Sequence, residues 1–176
     1  FSQSVTSTIK SPKRLAEMMA SKARMLADVI DTALTSDEEN RQNTTLWEQM
    51  EAFKDVLIHD ITPRQFSDIY AQTIAYGMFA ARLNDKTLED FNRQEAATLI
   101  SQSNPFLRKL FQYISGYDID VRIEWIVNDL ADIFRATDVA ELLKNFGKTT
   151  QMHDPIIHFY EDFLVEYDPS LRKKRG

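Results

Sequence analysis

Three groups of residues in this 176-residue chain have types and spacings that could do chemistry. His158 and Asp162 are four apart, so a helix would put them on one face. His153 and Glu161 are close by, and His59-Asp60 could add further ligands; imidazole and carboxylate together suit zinc or iron. Asp118, Asp120, Glu124, Asp129 and Asp132 form an acidic run such as a nuclease uses to hold a divalent cation. Arg172, Lys173, Lys174 and Arg175 are four adjacent cations that could contact nucleic-acid phosphates in a salt-dependent way.

Each group also has a plainer explanation in helix chemistry. His158 can pair with Asp162 or with a backbone carbonyl, and a metal site needs three or more converging ligands. The acidic run lacks the strands and catalytic lysine of a nuclease, so a solvated helix face accounts for it. A short basic end is often a solvated terminus. Tyr70, Gln72, Thr73 and Tyr76 could line a ligand pocket, but tyrosines at helical spacing are more often core. The four glycines, at 77, 116, 147 and 176, allow neither a phosphate-binding loop nor a nucleophile elbow. With no cysteine, thiolate zinc sites, disulfides and cysteine nucleophiles are excluded. The sequence therefore predicts no catalytic residue, no cofactor site and no metal site within this chain.

The elements that must position these residues read as helices. Hydrophobic content of 43% and charged content of 27% are those of an ordinary globular chain. The net charge of −6 becomes −10 once the four terminal cations are set aside, so the body should repel phosphate. Any DNA contact would come from the tail or from a local patch. No apolar run approaches the roughly 20 residues of a membrane span.

After a Ser/Thr-rich lead over residues 1–10, expected to be mobile, Ser11-Pro12 starts a helix predicted to reach about Thr35, with Arg24 and Asp28 spaced to pair. Ser36 to Thr44 reads as a polar surface loop. Leu46 to about His59 forms a second helix, packed as a hairpin against a third that runs from Pro63 to Leu83. The third is apolar on most sides and is expected at the centre of the bundle, with Gly77 at a close helix approach.

Further helices are expected from Asn92 to Ser101, from Asn104-Pro105 to Gly116, from about Asp118, where Trp125 lies off the apolar face, and from Val139 to Phe146 with Gly147 as terminator. Asp154 caps the last helix, with Pro155 in its first turn. Ile156, Ile157, Tyr160, Phe163, Leu164 and Tyr167 form its apolar face. The fold class is all-α, a bundle or array of about eight helices with no sheet. Residues 11–168 form one helical domain and 169–176 a basic linker.

The run Asp154-Pro155-Ile156-Ile157-His158-Phe159-Tyr160-Glu161-Asp162-Phe163-Leu164, then Tyr167-Asp168-Pro169 and Leu171-Arg172-Lys173-Lys174-Arg175-Gly176, resembles a bacterial family. It is similar to the segment ahead of the methyltransferase domain in large N6-adenine DNA methyltransferases of restriction-modification and phage-defence systems. Val56-Leu57-Ile58-His59-Asp60, Phe66 to Leu83 with Tyr70-Ala71-Gln72-Thr73, and Asn104 to Phe111 resemble the helical spacer of the same family.

The resemblance implies a non-catalytic, cytoplasmic spacer. Its partner would be a downstream methyltransferase domain of the same chain, which would use S-adenosylmethionine and reach DNA through the parent protein. In the family that domain opens on Val-Tyr-Tyr-Thr-Pro, directly after the position of Gly176. Asn104-Pro105-Phe106-Leu107 departs from the family's catalytic Asn-Pro-Pro-Tyr at its last two positions and sits at a helix start. Ile156, Tyr160, Phe163, Leu164 and Tyr167 are then candidates for docking the catalytic domain, and Arg172 to Arg175 for phosphate contact. The alternative is a free-standing helical protein-interaction or regulatory domain.

Overall fold

The computed structural model describes residues 9–56, 58–84, 91–94, 96, 119–149 and 155–170. Six helices lie among them: α1 (Pro12–Glu39), α2 (Thr45–Val56), α3 (Pro63–Asn84), α4 (Val121–Arg135), α5 (Val139–Thr149) and α6 (Pro155–Tyr167). The described residues contain no strand, only one isolated parallel bridge between Ile9 and Thr137. The helix expected at Asn104 to Gly116 lies outside the described residues, as does most of that expected at Asn92 to Ser101.

Side-chain caps start most of these helices. Ser11 Oγ accepts from the Arg14 backbone N–H at 3.2 Å, and Pro12 occupies the first turn without leaving a donor unpaired. Thr62 and Gln65 form a reciprocal box: the Gln65 N–H donates to Thr62 Oγ1, and the Thr62 N–H donates to Gln65 Oε1. Asp120 caps α4 through the Arg122 N–H, and Asp138 caps α5 through the Glu141 N–H. Thr44 caps α2 through the Trp47 N–H. Asp154, expected to cap α6, lies outside the described residues.

The axis of the bundle is α1, a correction to the expectation that α3 is central. α1 packs against every other described helix, its main neighbours being α3, α4 and α6. Ala16, Ala20, Ala23 and Ala27 are buried along it, between Leu15, Met19, Leu26, Ile30 and Leu34. Small side chains let flanking helices approach on both sides of the apolar stripe, which a count of large hydrophobic residues undervalues. α3 contributes Phe66, Tyr70, Ile74, Met78 and Phe79 to the same core. α2 packs chiefly on α1 and meets α3 where the Phe53 and Phe66 rings touch edge to face at 5.8 Å, so it is less a hairpin partner of α3 than a flank of α1.

Other boundaries move for identifiable reasons. α1 continues through Glu39 instead of ending near Thr35, because Asp37 is buried and satisfied by other elements. Gly147 does not terminate α5, which runs to Thr149. A glycine ends a helix when it takes a left-handed conformation, and no described glycine has positive φ. Arg24 and Asp28 do not pair: Asp28 meets Arg64 at 2.7 Å, and Arg24 donates to the Glu166 carbonyl at 3.1 Å. Ile9, placed by sequence in the mobile lead, is buried and bonds through its backbone to Ala136 and Asp138.

Arg82 is almost fully buried, at 1% exposure. Its Nε donates to the Phe134 carbonyl at 2.8 Å and Nη2 to the Thr137 carbonyl at 3.2 Å, and the guanidinium lies over the Phe91 ring. A cation at the C-terminal end of α4 meets the negative end of the helix dipole and occupies carbonyls the helix itself leaves unpaired.

The end of α1 yields a prediction. The Gln42 N–H donates to the Asp37 carbonyl and the Arg41 N–H to the Glu38 carbonyl, while Arg41 has φ 51°. These are the two bonds of a Schellman closure, with arginine where glycine is usually found. Arg41→Gly is expected to stabilise the fold by about 1 kcal/mol, read as a raised denaturation midpoint. Arg41→Val should lower the midpoint.

Candidate functional site

The candidate site is the outer end of the bundle, where α6 closes over α1 and α3 and the chain leaves at Asp168 to Ser170. Phe159 is buried and stacks on Phe79 of α3, ring centroids 4.3 Å apart and planes 29° apart. Phe79 also meets Phe134 of α4 at 6.4 Å, and Phe134 meets Phe91 at 6.3 Å. Tyr160 packs against Tyr76 at 4.6 Å, and Phe163 is buried between Tyr160 and Tyr167. One aromatic series thus joins three helices.

The apolar face expected to dock a downstream domain is seated on this chain's own α1 and α3. Phe163 and Tyr167 are buried, while Tyr160 and Leu164 are partly buried against the core. The side chain of Ile156 lies outside the described residues, as do Arg172, Lys173, Lys174 and Arg175. Phe159 was missed as part of the face, although its spacing of four from Phe163 and Pro155 was a usable signal.

Polar contacts fix the far end of α6. Tyr167 Oη donates to Asp68 Oδ1 at 2.5 Å, and Arg64 bridges Asp68 at 2.9 Å and Asp28 at 2.7 Å. Burial pushes the Tyr167 hydroxyl pKa up, and the Asp68 bond and charge add to it, so the phenol remains a donor at all ordinary pH. The bond that Arg64 donates to Asp28, against a smaller opposing effect of burial, raises Arg64 further above its normal range. With Arg24 on the Glu166 carbonyl, the last turn of α6 is tied to α1 and α3.

The imagined metal ligands do not converge. His158 Nε2 lies 3.6 Å from Asp162 Oδ2, with both side chains about half exposed. His59 is in an exposed turn, and His153 lies outside the described residues. Among the described residues no group of three or more His, Asp or Glu is placed to hold a metal.

The acidic run is used for clamping. Asp120 pairs with Arg122, Glu124 with Arg93 at 3.2 Å, Asp129 with Lys22 of α1 at 3.1 Å and Asp132 with Arg135 at 2.7 Å. Asp118 lies outside the described residues. The side chains of Glu124, Asp129 and Asp132 are 44%, 40% and 57% exposed, as expected of a solvated face, while Asp120 is largely buried, and each described carboxylate also has a basic partner.

The strongest polar cluster was not foreseen. Asp37, 1% exposed, accepts from Arg122 Nη1 at 3.0 Å and Nη2 at 3.1 Å, and from Thr44 Oγ1 at 2.6 Å. Arg122 also holds Asp120 through Nε and Nη2. One guanidinium therefore joins the end of α1 to the start of α4, while Thr44 brings in the start of α2.

Burial pushes the Asp37 carboxyl up, but the bonds from Arg122 and Thr44 outweigh it, leaving its pKa below the usual value. The Arg122 bond likewise lowers Asp120, against burial. Nothing in the run Ser36 to Thr44 singles out Asp37 from Glu38 or Glu39 except its helical register with Ile30, Ala33 and Leu34.

No helix among the described residues is long and apolar enough to cross a membrane. Comparison of the chain with protein-family models, with curated proteins and with solved structures finds no match.

The depressed pKa values set the acid limb of stability. Such carboxylates stabilise the fold above their unfolded pKa of about 4 and lose this contribution as pH falls through the lower folded value. Stability is expected to be nearly flat above about pH 5 and to decline below about pH 4. Asp37→Asn should cost roughly 1.5–3 kcal/mol near neutral pH, the range for hydrogen bonds to a charged group, and make the acid decline shallower. Urea denaturation across a pH series measures both; an unaltered acid limb contradicts the assignment.

Proposed function

We propose that this chain is a non-catalytic helical spacer of a bacterial N6-adenine DNA methyltransferase, of the restriction-modification or phage-defence kind. It sets the position of a catalytic domain that follows it. The parent protein transfers a methyl group from S-adenosylmethionine to adenine N6, and works in the cytoplasm. The spacer supplies no catalytic group, cofactor ligand or metal ligand to that reaction. Arg172, Lys173, Lys174 and Arg175 add phosphate contact at the junction.

The sequence resemblance motivates this reading. The observation that carries it is the fixed exit of the chain: the last turn of α6 is held by Tyr167 on Asp68 and by Arg24 on the Glu166 carbonyl, beyond the Phe159 and Phe79 stack. A terminus tied down in this way passes a defined position and direction to whatever follows Asp168. A loosely frayed helix would not. Because α6 uses its aromatic face internally, the catalytic domain would contact its outer face, where His158 and Asp162 are exposed, and the linker.

A second reading, a free-standing interaction or regulatory domain, is favoured by one observation. α4 presents Val121, 78% exposed, and Trp125, 51% exposed, one helical turn apart. Exposed tryptophan is over-represented at protein interfaces.

The first test is the gene. Codons after Gly176 are expected to encode Tyr-Tyr-Thr-Pro and, further on, an Asn-Pro-Pro-Tyr-like tetrapeptide; a stop codon there overturns the spacer reading in favour of the second. In the parent protein, a flexible Gly-Gly-Ser insertion after Ser170 leaves the bundle intact and frees the junction. It is expected to lower the methyl-transfer rate on cognate DNA by on the order of 10- to 100-fold, the scale for misplaced reacting groups, with S-adenosylmethionine affinity retained. An unchanged rate contradicts a positioning role.

A further inference from the structure

α5 is held in the bundle less by its own packing than by the segment that leads into α1. It packs against α1 and α6, in both cases far less extensively than α6 packs against α1. Over Val139 to Asn145 only Leu142 is buried, and Leu143 is 47% exposed. A helix of 11 residues with so small an apolar contact is marginal in water by itself.

The lead supplies what this packing lacks. Ile9, 5% exposed, lies in the corner between α4 and α5. Its N–H donates to the Ala136 carbonyl at 3.1 Å, and its carbonyl accepts from the Asp138 N–H at 2.8 Å. The next carbonyl, that of Lys10, accepts from Asn145 Nδ2 at 2.9 Å. Ile9 and Lys10 thus hold both the corner that starts α5 and a side chain further along it. The α4 side of the corner has a separate anchor: Arg82 donates to the Phe134 and Thr137 carbonyls, and Thr137 Oγ1 donates to the Ile133 carbonyl. If the lead is withdrawn, α4 stays seated and the chain yields after Thr137, where α5 begins.

We propose that Ile9 and Lys10 are a latch for α5: withdrawing them from the corner releases α5 as one unit while α1, α3, α4 and α6 remain packed. In the same movement Ile9 leaves its buried place, the Asp138 N–H loses its acceptor and Asn145 loses the Lys10 carbonyl, so the segment and the helix open together. A pull on the chain ahead of Ile9 works the latch. The device is independent of the spacer reading.

Native-state hydrogen exchange of the intact chain, under conditions where rates report opening equilibria, tests it. The Asp138 amide reports the lead, because its acceptor is Ile9, and the amides of Leu142 to Asn145 report α5. These amides are expected to share one opening, easier than the global opening reported by Ala23 to Ile30 in α1. Ile9→Ala, a large-to-small change at a buried site, is expected to speed Asp138 and Leu142 to Asn145 by one common factor, on the order of 30-fold or more. Asn145→Ser removes the bond to Lys10 with little change in helix propensity, and should speed the same amides by roughly 2- to 10-fold. Tyr167→Phe, which loses a bond in the part that stays packed, should speed Ala23 to Ile30 and leave the latch amides unchanged. The proposal is overturned if Ile9→Ala or Asn145→Ser speeds Asp138 without Leu142 to Asn145. It is equally overturned if Leu142 to Asn145 respond to Tyr167→Phe as α1 does, because α5 would then open only with the whole bundle.

Discussion

The contact between Phe79 of α3 and Phe159 of α6 is the interaction on which the account of this chain depends. Phe79 sits where α3, α4 and α6 converge, touching Phe134 on one side and Phe159 on the other. Burying a phenylalanine contributes roughly 1.5–3 kcal/mol, and favourable ring geometry adds about 0.5–1.5 kcal/mol for each pair. A few such rings therefore match a substantial part of the net stability of a domain, which is of order 10 kcal/mol. With α6 seated in this way, the chain leaves the bundle from a helix that belongs to the core.

Polar interactions complete what the rings begin, and they do so at helix ends. Arg122 with Asp37, Arg82 with the carbonyls of α4, and Arg24 with the carbonyl of Glu166 each join one helix terminus to another element. Arginine suits these places because its planar fork offers five donors with fixed geometry. The exposed pairs on the outer surface, such as Arg14 with Glu17, contribute little by comparison. The fold is thus set by a packed aromatic and alanine-lined interior whose open ends are closed by arginines.

The helical class, the starts at Ser11 and Thr62, and most of the core were legible in the sequence, because capping residues, first-turn prolines and 3.6-residue periodicity are local signals. What was illegible depends on residues distant in the chain. Asp37 reads as one of three exposed acids until Arg122 arrives from 85 residues away. The central place of α1 rests on alanines, whose contribution is closeness of approach and not bulk. The apolar face of α6 was visible, but a stripe does not say which surface it meets. Gly147 carried the sequence mark of a helix end without the backbone conformation that would make it one.

The central claim is that α6 is an integral member of the bundle. Native-state hydrogen exchange measures this directly, since each amide reports the free energy of the opening that exposes it. The account predicts that amides from Phe163 to Tyr167 exchange with the same opening free energy as those of the buried middle of α1, around Ala23 to Ile30. If α6 exchanged through a much smaller opening while α1 stayed protected, the helix would be a detachable arm, and its role in fixing the exit of the chain would be contradicted.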